Sequence, residues 1–242
     1  MYQEIDFSNQ NAGLFEAIWC FKSTQPVVKS HVVPDGCFDI IFDLSLGQSY
    51  ISGVMSMHAD IDIPAGKHMV GIRIRTEFFQ FFSKVPAYEL RNLKVETSEV
   101  IDQIPINQLL ASLGCTHSLQ EQATSLASTL EITKAKIDLK EKSVIQAAAW
   151  HCRQNPTIVN TESLATDLAI SPRQLQRKFK ENLGLTLKEF TGVLRFQNAI
   201  KRLKEDHSRS LLQIAFDCGY YDHAHISNHF KKLSGKTPSF YR

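Results

Sequence analysis

Apolar positions between Thr161 and Gly184 recur at the spacing of a helix face. Leu175, Phe179 and Leu183 make one seam, and Arg173, Gln176, Arg177 and Lys180 fall on another face at i, i+3, i+4 and i+7. The boundaries of that helix are written in its residues. Ser171 is a good N-cap, Pro172 suits the first helical position, and Gln174 completes an S-x-x-Q capping box. Gly184 stands where a helix commonly ends in the left-handed conformation. With the short periodic stretch before it, this predicts two short helices joined by a tight turn.

The same pattern returns about 51 positions later. Asp222 falls over Ser171, Ile226 over Leu175, Phe230 over Phe179 and Gly235 over Gly184. Ile226, Phe230 and Leu233 form the apolar side, with Ala224, Ser227, Asn228 and Lys231 outward. Leu211 to Cys218, closed by Gly219, reads as the short helix ahead of it. Between the two units, Thr186 and Glu189 make another capping box and open a helix from Leu187 to about Glu205. At 1.5 Å per residue that helix spans on the order of 28 Å. Such a length suits two outward helices lying in successive major grooves on one face of DNA, about 34 Å apart.

Upstream the periodicity changes. Phe15–Phe21, Val27–Val33, Cys37–Phe42, Tyr50–Val54, His58–Ile63 and Met69–Ile74 are short apolar runs bounded by turn signals, and they read as strands. Pro34-Asp35-Gly36 and Pro64-Ala65-Gly66 are turns between them. Closely spaced short strands suggest a sheet curled into a barrel or sandwich. Glu77 to Ser83 begins a helical section, Leu109 to Lys140 continues it, and Lys142 to Arg153 predicts one more helix, ended by Asn155-Pro156. The expectation is an α+β chain. Residues 1–105 are β-rich, 106–140 form a helical linker or dimerisation region, and 141–242 form an all-α domain with two helix-turn-helix units on a long connecting helix.

Charge sharpens this division. The net +2 hides 11 Lys+Arg against 16 Asp+Glu over residues 1–140, and 16 against 9 over 141–242. The basic surplus sits with the repeated motif, as a polyanion partner requires. The five cysteines are scattered without a C-x-x-C pair, which argues for a reducing compartment and against disulfides or structural zinc. No signal-peptide pattern opens the chain and no run approaches the ~20 apolar residues of a membrane span. The expected location is the cytoplasm, at the nucleoid.

The last hundred residues, roughly, resemble the DNA-binding domain of AraC/XylS-type bacterial transcription regulators. The resemblance is carried by Leu164–Ala165, Ser171, Leu175, Phe179, Gly184, Phe190, Arg195, Ala199 and Leu203. It continues through Ile214–Ala215, Gly219–Tyr220, Phe230–Lys231, Gly235 and the closing TPSFYR of Thr237 to Arg242. Asn228 stands where many members carry arginine, so base preference there does not transfer. The stretches HVVPDGCFDIIFDL and GIRIRTEFFQFF are similar to the amino-terminal domain of a subgroup, which implies a small cupin-like β-barrel for sensing or assembly.

These patterns name candidate residues. Arg173, Gln176 and Arg177 are candidates for base contacts, because arginine grips guanine bidentately and glutamine reads adenine. Lys180 and Lys231 suit phosphates, as point charges that orient poorly. His223, His225, Ser227 and Asn228 match family positions that face the groove. A metal held by His225 and His229 with Asp222 lacks an obvious third ligand. Arg73 and Arg75 share one face of a strand and are candidates for an anionic effector inside a barrel, with surface placement as the alternative.

The function implied is sequence-specific binding of double-stranded DNA by a regulator, an activator in the family's commoner mode. The amino-terminal domain would adjust affinity, homodimer formation, response to a small-molecule effector or contact with RNA polymerase. No cofactor or metal is called for, and no membrane partner. An enzyme of the DNA-alkyl methyltransferase type is disfavoured by the scattered cysteines and the lack of nucleophile, phosphate-loop or zinc-protease motifs. A protein-binding adaptor without DNA binding is disfavoured by the outward arginines.

Overall fold

A computed structural model describes residues 1–6, 13–102, 104–115, 118–136, 144–157 and 159–242. All six expected strands form, within two residues at each end, and two more join them. The strands are β1 (Tyr2–Asp6), β2 (Phe15–Lys22), β3 (Val27–Val32), β4 (Cys37–Asp43), β5 (Gln48–Ser52), β6 (Ala59–Pro64), β7 (His68–Arg75) and β8 (Lys94–Glu96). Six pair in the order β1-β2-β7-β4-β5-β8, and β3 pairs with β6 in a second sheet. Every pairing is antiparallel. The ladders of the larger sheet leave β1 and β8 at its two edges.

Alternation divides the larger sheet into two buried faces. Ile18, Cys20, Phe38, Ile40, Phe42, Ile51, Val70, Ile72 and Ile74 point one way. The helices α2 (Ile106–Gly114) and α3 (Leu119–Lys136) cover them with Leu109, Leu113, Ala123 and Leu126. Trp19, Phe21, Ile41 and Met69 point the other way and meet Val28 and Ile63 of the smaller sheet. Gly71 is required on that side. A Cβ there would lie 2.1 Å from the Trp19 ring, so any larger residue displaces the indole. The expected helix at 77–83 forms as a 3₁₀ helix, Thr76–Phe81, followed by another at Ala87–Leu90 and the single turn α1 (Thr97–Val100).

The carboxyl-terminal region is all helical: α4 (Val144–Gln154), α5 (Thr161–Asp167), α6 (Pro172–Leu183), α7 (Leu187–Glu205), α8 (Leu211–Asp217) and α9 (His223–Ser234). The expected start of α4 at Lys142 and the boundary at 140/141 lie outside the described residues. Two apolar centres support these helices. One gathers Ile145, Leu164, Leu175, Phe179, Leu183, Phe190 and, from the sheet region, Val54. The other gathers Phe196, Leu203, Ile214, Tyr220, Ile226 and Phe230, with Val33 packed against it. α7 contributes to both, which makes it the shared beam of the two units.

Candidate nucleic-acid interface

The first outward helix is built as its residues predict. Ser171 Oγ accepts from the Gln174 backbone N–H at 3.2 Å, and Gln174 Oε1 accepts from the Ser171 N–H at 3.0 Å. Pro172 occupies the first helical position and Gly184 ends α6 at φ 72°. Leu175, Phe179 and Leu183 are fully buried, with Phe179 edge-on to Phe190 at 5.4 Å. This seam leaves Arg173, Gln176, Arg177 and Lys180 exposed together on the opposite side. Arg177 comes within 3.7 Å of Glu181, but both side chains are about half or more exposed. Such a pair is weak and readily exchanged for a stronger acceptor.

The second outward helix departs in its details. Asp222 accepts from the His225 N–H at 2.6 Å, Gly235 closes α9 at φ 65°, and Ile226, Phe230 and Leu233 are buried. His223, Asn228 and Lys231 are exposed; His225 and Ser227 are half-buried. Ser227 Oγ lies 3.5 Å from His223 Nδ1. His229, one turn after His225, turns inward, where its Nδ1 meets the Tyr220 hydroxyl at 2.9 Å. Burial, with help from the charges of Arg195, His225 and Lys232, pushes the His229 pKa down to about 4. It is a half-buried histidine facing inward, and its partner is a phenol.

The amino-terminal region touches both outward helices at their carboxyl ends, away from the exposed stripes. Gly184 sits against Val54 and the Ala87 carbonyl, and Gly235 sits against the His58 ring. Arg91 forks onto Glu189 at 2.7 and 3.3 Å and reaches the Gly184 carbonyl at 3.5 Å. Burial acts to raise the Glu189 pKa, but hydrogen bonds from Arg91 and Thr186 outweigh it and hold the carboxyl at about 2. Gln197 of α7 donates to the Pro34 carbonyl at 2.5 Å.

Arg73 and Arg75 lie on β7, and both are already paired with carboxylates. Arg73 has Asp35 at 2.8 Å, Glu4 at 3.2 Å and Asp39 at 3.5 Å. Asp39 is raised to about 6 by burial, against the pull of Arg73. Arg75 pairs with Glu16 at 2.7 Å. An anion entering here would meet more carboxylates than free guanidinium. Cys37, the residue after the P-D-G turn, is buried and its thiol is pushed well up by burial.

Two residues of the face or its support were not singled out from the sequence. Tyr221 is 86% exposed beside the α9 N-cap. An aromatic immediately before a capping aspartate was the available signal. Arg153 had none, because its partners Glu16, Gly36 and Glu77 lie more than seventy positions away in the amino-terminal region.

Comparison with known proteins finds matches to both the amino-terminal and the carboxyl-terminal regions. The family model described as a helix-turn-helix domain matches residues 164–242, and one described as a domain of unknown function (DUF6597) matches 10–96. The transcriptional activator RhaS of Escherichia fergusonii is 26% identical over 144 residues, 55% of this chain and 51% of that protein. RhaS of Pectobacterium carotovorum is 31% identical over 42% of this chain and 37% of its own length. The transcriptional regulator ArgR of Pseudomonas aeruginosa is 31% identical over 33% of this chain and 24% of its own. The matched segment thus spans about half or less of these relatives. Among solved structures, an AraC-type regulator from Chromobacterium violaceum is 28% identical, with TM-score 0.39 over 41% of this chain and 88% of that one. ToxT from Vibrio cholerae is 11% identical, with TM-score 0.47 over 99% of this chain and 96% of that one. Among the described residues no helix is long and apolar enough to cross a membrane.

Proposed function

Since the chain belongs to the AraC/XylS family of transcription regulators through its carboxyl-terminal helix-turn-helix domain, we propose that it reads two blocks of double-stranded DNA about one helical turn apart. α6 would enter one major groove and α9 the next, held apart by α7. Arg173, Gln176 and Arg177 would contact bases in the first block. His223, His225, Ser227 and Asn228 would do so in the second, with Lys180 and Lys231 on phosphates. The observation that carries this reading is the pairing of two capped helices, each with a buried seam and an exposed polar stripe, packed on one shared helix, α6 through Phe190 and α9 through Phe196.

The amino-terminal region would act as a brace. It grips α6 and α9 at the glycines that end them and leaves their stripes open, so it sets the relation of the two readers without covering either. Residues 1–105 form this regulatory part, 106–140 link or dimerise, and 141–242 bind DNA. An effector, a second copy of the chain or RNA polymerase would act through the brace; the RhaS relatives favour activation as the outcome.

Selection from a random duplex library by the full chain, at stated moderate and low salt, tests the proposal. Two enriched short blocks with centres about ten base pairs apart are expected. Enrichment of a single block would remove α9 as a reader, and no enrichment would leave the protein-binding adaptor as the better reading.

A further inference from the structure

At the entrance to α9 stand two aromatic side chains that capping alone does not call for. The Tyr221 ring lies against the His225 imidazole, with centroids 5.9 Å apart and planes 19° apart. Tyr220 meets the same imidazole edge-on from the buried side, at 5.1 Å and 78°. The Tyr221 backbone N–H donates to His225 Nδ1 at 3.3 Å, while Asp222 accepts from the His225 N–H. Gln174, Glu189 and Gln213 occupy the corresponding third position of α6, α7 and α8, and their side chains return to the cap residue. In α9 an imidazole takes that place and reaches one residue further back.

This bond determines where the ring carries its hydrogen. A backbone N–H can point only at a lone pair, so Nδ1 is bare and the neutral ring holds its proton on Nε2. The two tyrosines fix the ring plane and the bond fixes its rotation. Among the described residues Nε2 has no hydrogen-bond partner. The result is one oriented donor on the helix face that also carries exposed Asn228, one turn on.

We propose that His225, set in this tautomer by the Tyr221 backbone N–H and held in plane by the Tyr221 ring, donates from Nε2 to a guanine in the second block. Guanine presents two adjacent acceptors, N7 and O6, on its major-groove edge. Adenine sets an amino donor beside its N7, thymine sets a methyl group beside its single acceptor O4, and cytosine offers only a donor, so guanine meets a fixed N–H best. Tyr221 is a positioning residue, acting through the histidine. The inference rests on the DNA-binding reading and assigns it a base and an atom.

The test uses the full chain and its selected site. Nitrogen-15 spectra of the imidazoles, assigned through His225→Gln, are expected to show the Nε2–H tautomer at His225; an Nδ1–H or averaged ring overturns the proposal. Replacing each second-block guanine by 7-deazaguanine should reveal one position that costs the native protein roughly 10-fold in affinity. His225→Ala should be indifferent at that position; Tyr221→Ala keeps the backbone N–H but loses the stacked ring and should show a reduced dependence, while Tyr221→Phe keeps it in full. His225→Gln retains a side-chain acceptor for the cap and should move the preferred base toward adenine. Equal losses for the native protein and His225→Ala at every guanine, or an unchanged guanine preference in His225→Gln, overturn it. Failure of the full chain to select any site would instead remove the DNA-binding reading beneath it.

Discussion

Arg153, in the last turn of α4, forks onto Glu77, with Nε 2.8 Å and an Nη 3.0 Å from the two carboxylate oxygens. The two side chains are only 10% and 3% exposed. The other edge of the guanidinium reaches the Gly36 carbonyl at 3.1 Å and Glu16 at 3.4 Å, and its centre lies 5.1 Å from the Phe190 ring centroid. Burial opposes the charge, but the surrounding carboxylates outweigh it and raise the Arg153 pKa above its ordinary value. The helix α4 is therefore pinned to the amino-terminal region by a satisfied, largely buried charge.

Removing one partner of such a pair strands the other. Arg153→Ala leaves Glu77 buried without its fork and is expected to lose roughly 3 kcal/mol in urea unfolding. Arg153→Lys keeps a charge but cannot form the bidentate contact, and should fall between. The double variant Arg153→Met/Glu77→Leu should lie closer to the native protein than Arg153→Ala does. A double variant as unstable as the single would show that packing, not the stranded charge, sets the loss.

His229 gives the second motif an acid limit. Its pKa is about 4 when folded against an ordinary 6.5, so below pH 6.5 the unfolded chain binds the extra proton and the native state does not. Stability is fully present above pH 6.5 and falls as pH drops toward 4. The loss between pH 7.5 and pH 5 is on the order of 2 kcal/mol from this group. His229→Gln should flatten that part of the profile, measured by urea midpoints at fixed pH. An unchanged slope would assign it to another group.

What could be read along the chain was local. α6 begins and ends where Ser171, Pro172 and Gly184 say it should, because caps and turns act within four residues. The inner strands followed from short apolar runs bounded by turn signals, whereas β1 (YQEID, mostly exposed) and the three-residue β8 offered no apolar run to find. The brace was illegible for a different reason. Gln197 and Pro34 are 163 positions apart, and Arg91 and Glu189 are 98 apart, so no spacing rule connects them. Arg73 looked available on its strand; its three carboxylates come from β1, a turn and β4, which only the fold assembles.

The brace can be probed at a glycine. Ala at position 184 would adopt φ 72°, costing about 1 kcal/mol as at any left-handed site. Its Cβ would also stand 2.8 Å from Val54 and 2.9 Å from the Ala87 carbonyl, both in the amino-terminal region. Gly47 has φ 66° with open space around it, so Gly47→Ala meets only the backbone cost. Gly184→Ala is expected to cost at least about 1 kcal/mol more than Gly47→Ala in thermal or urea unfolding. Equal costs would mean that the contact at the end of α6 is loose enough to yield.

Arg177 and Lys231 should fail in different ways, and salt separates them. Arg177 is 64% exposed and held only by a weak pair with Glu181, so its fork is free to meet a guanine edge. Losing it should remove discrimination at one position of the first block, about 1–3 kcal/mol between the preferred base and its rivals. The slope of log affinity against log salt should change little, provided the contact is to a base. Lys231 carries a point charge in the last turn of α9. Lys231→Ala should weaken all sequences alike and lower that slope by about one ion. Competition binding at three salt concentrations, on the selected site and on single-base variants of its first block, reads both quantities at once. A uniform loss for Arg177→Ala with a reduced slope would move Arg177 to the phosphate backbone and leave Arg173 and Gln176 as the readers of that block.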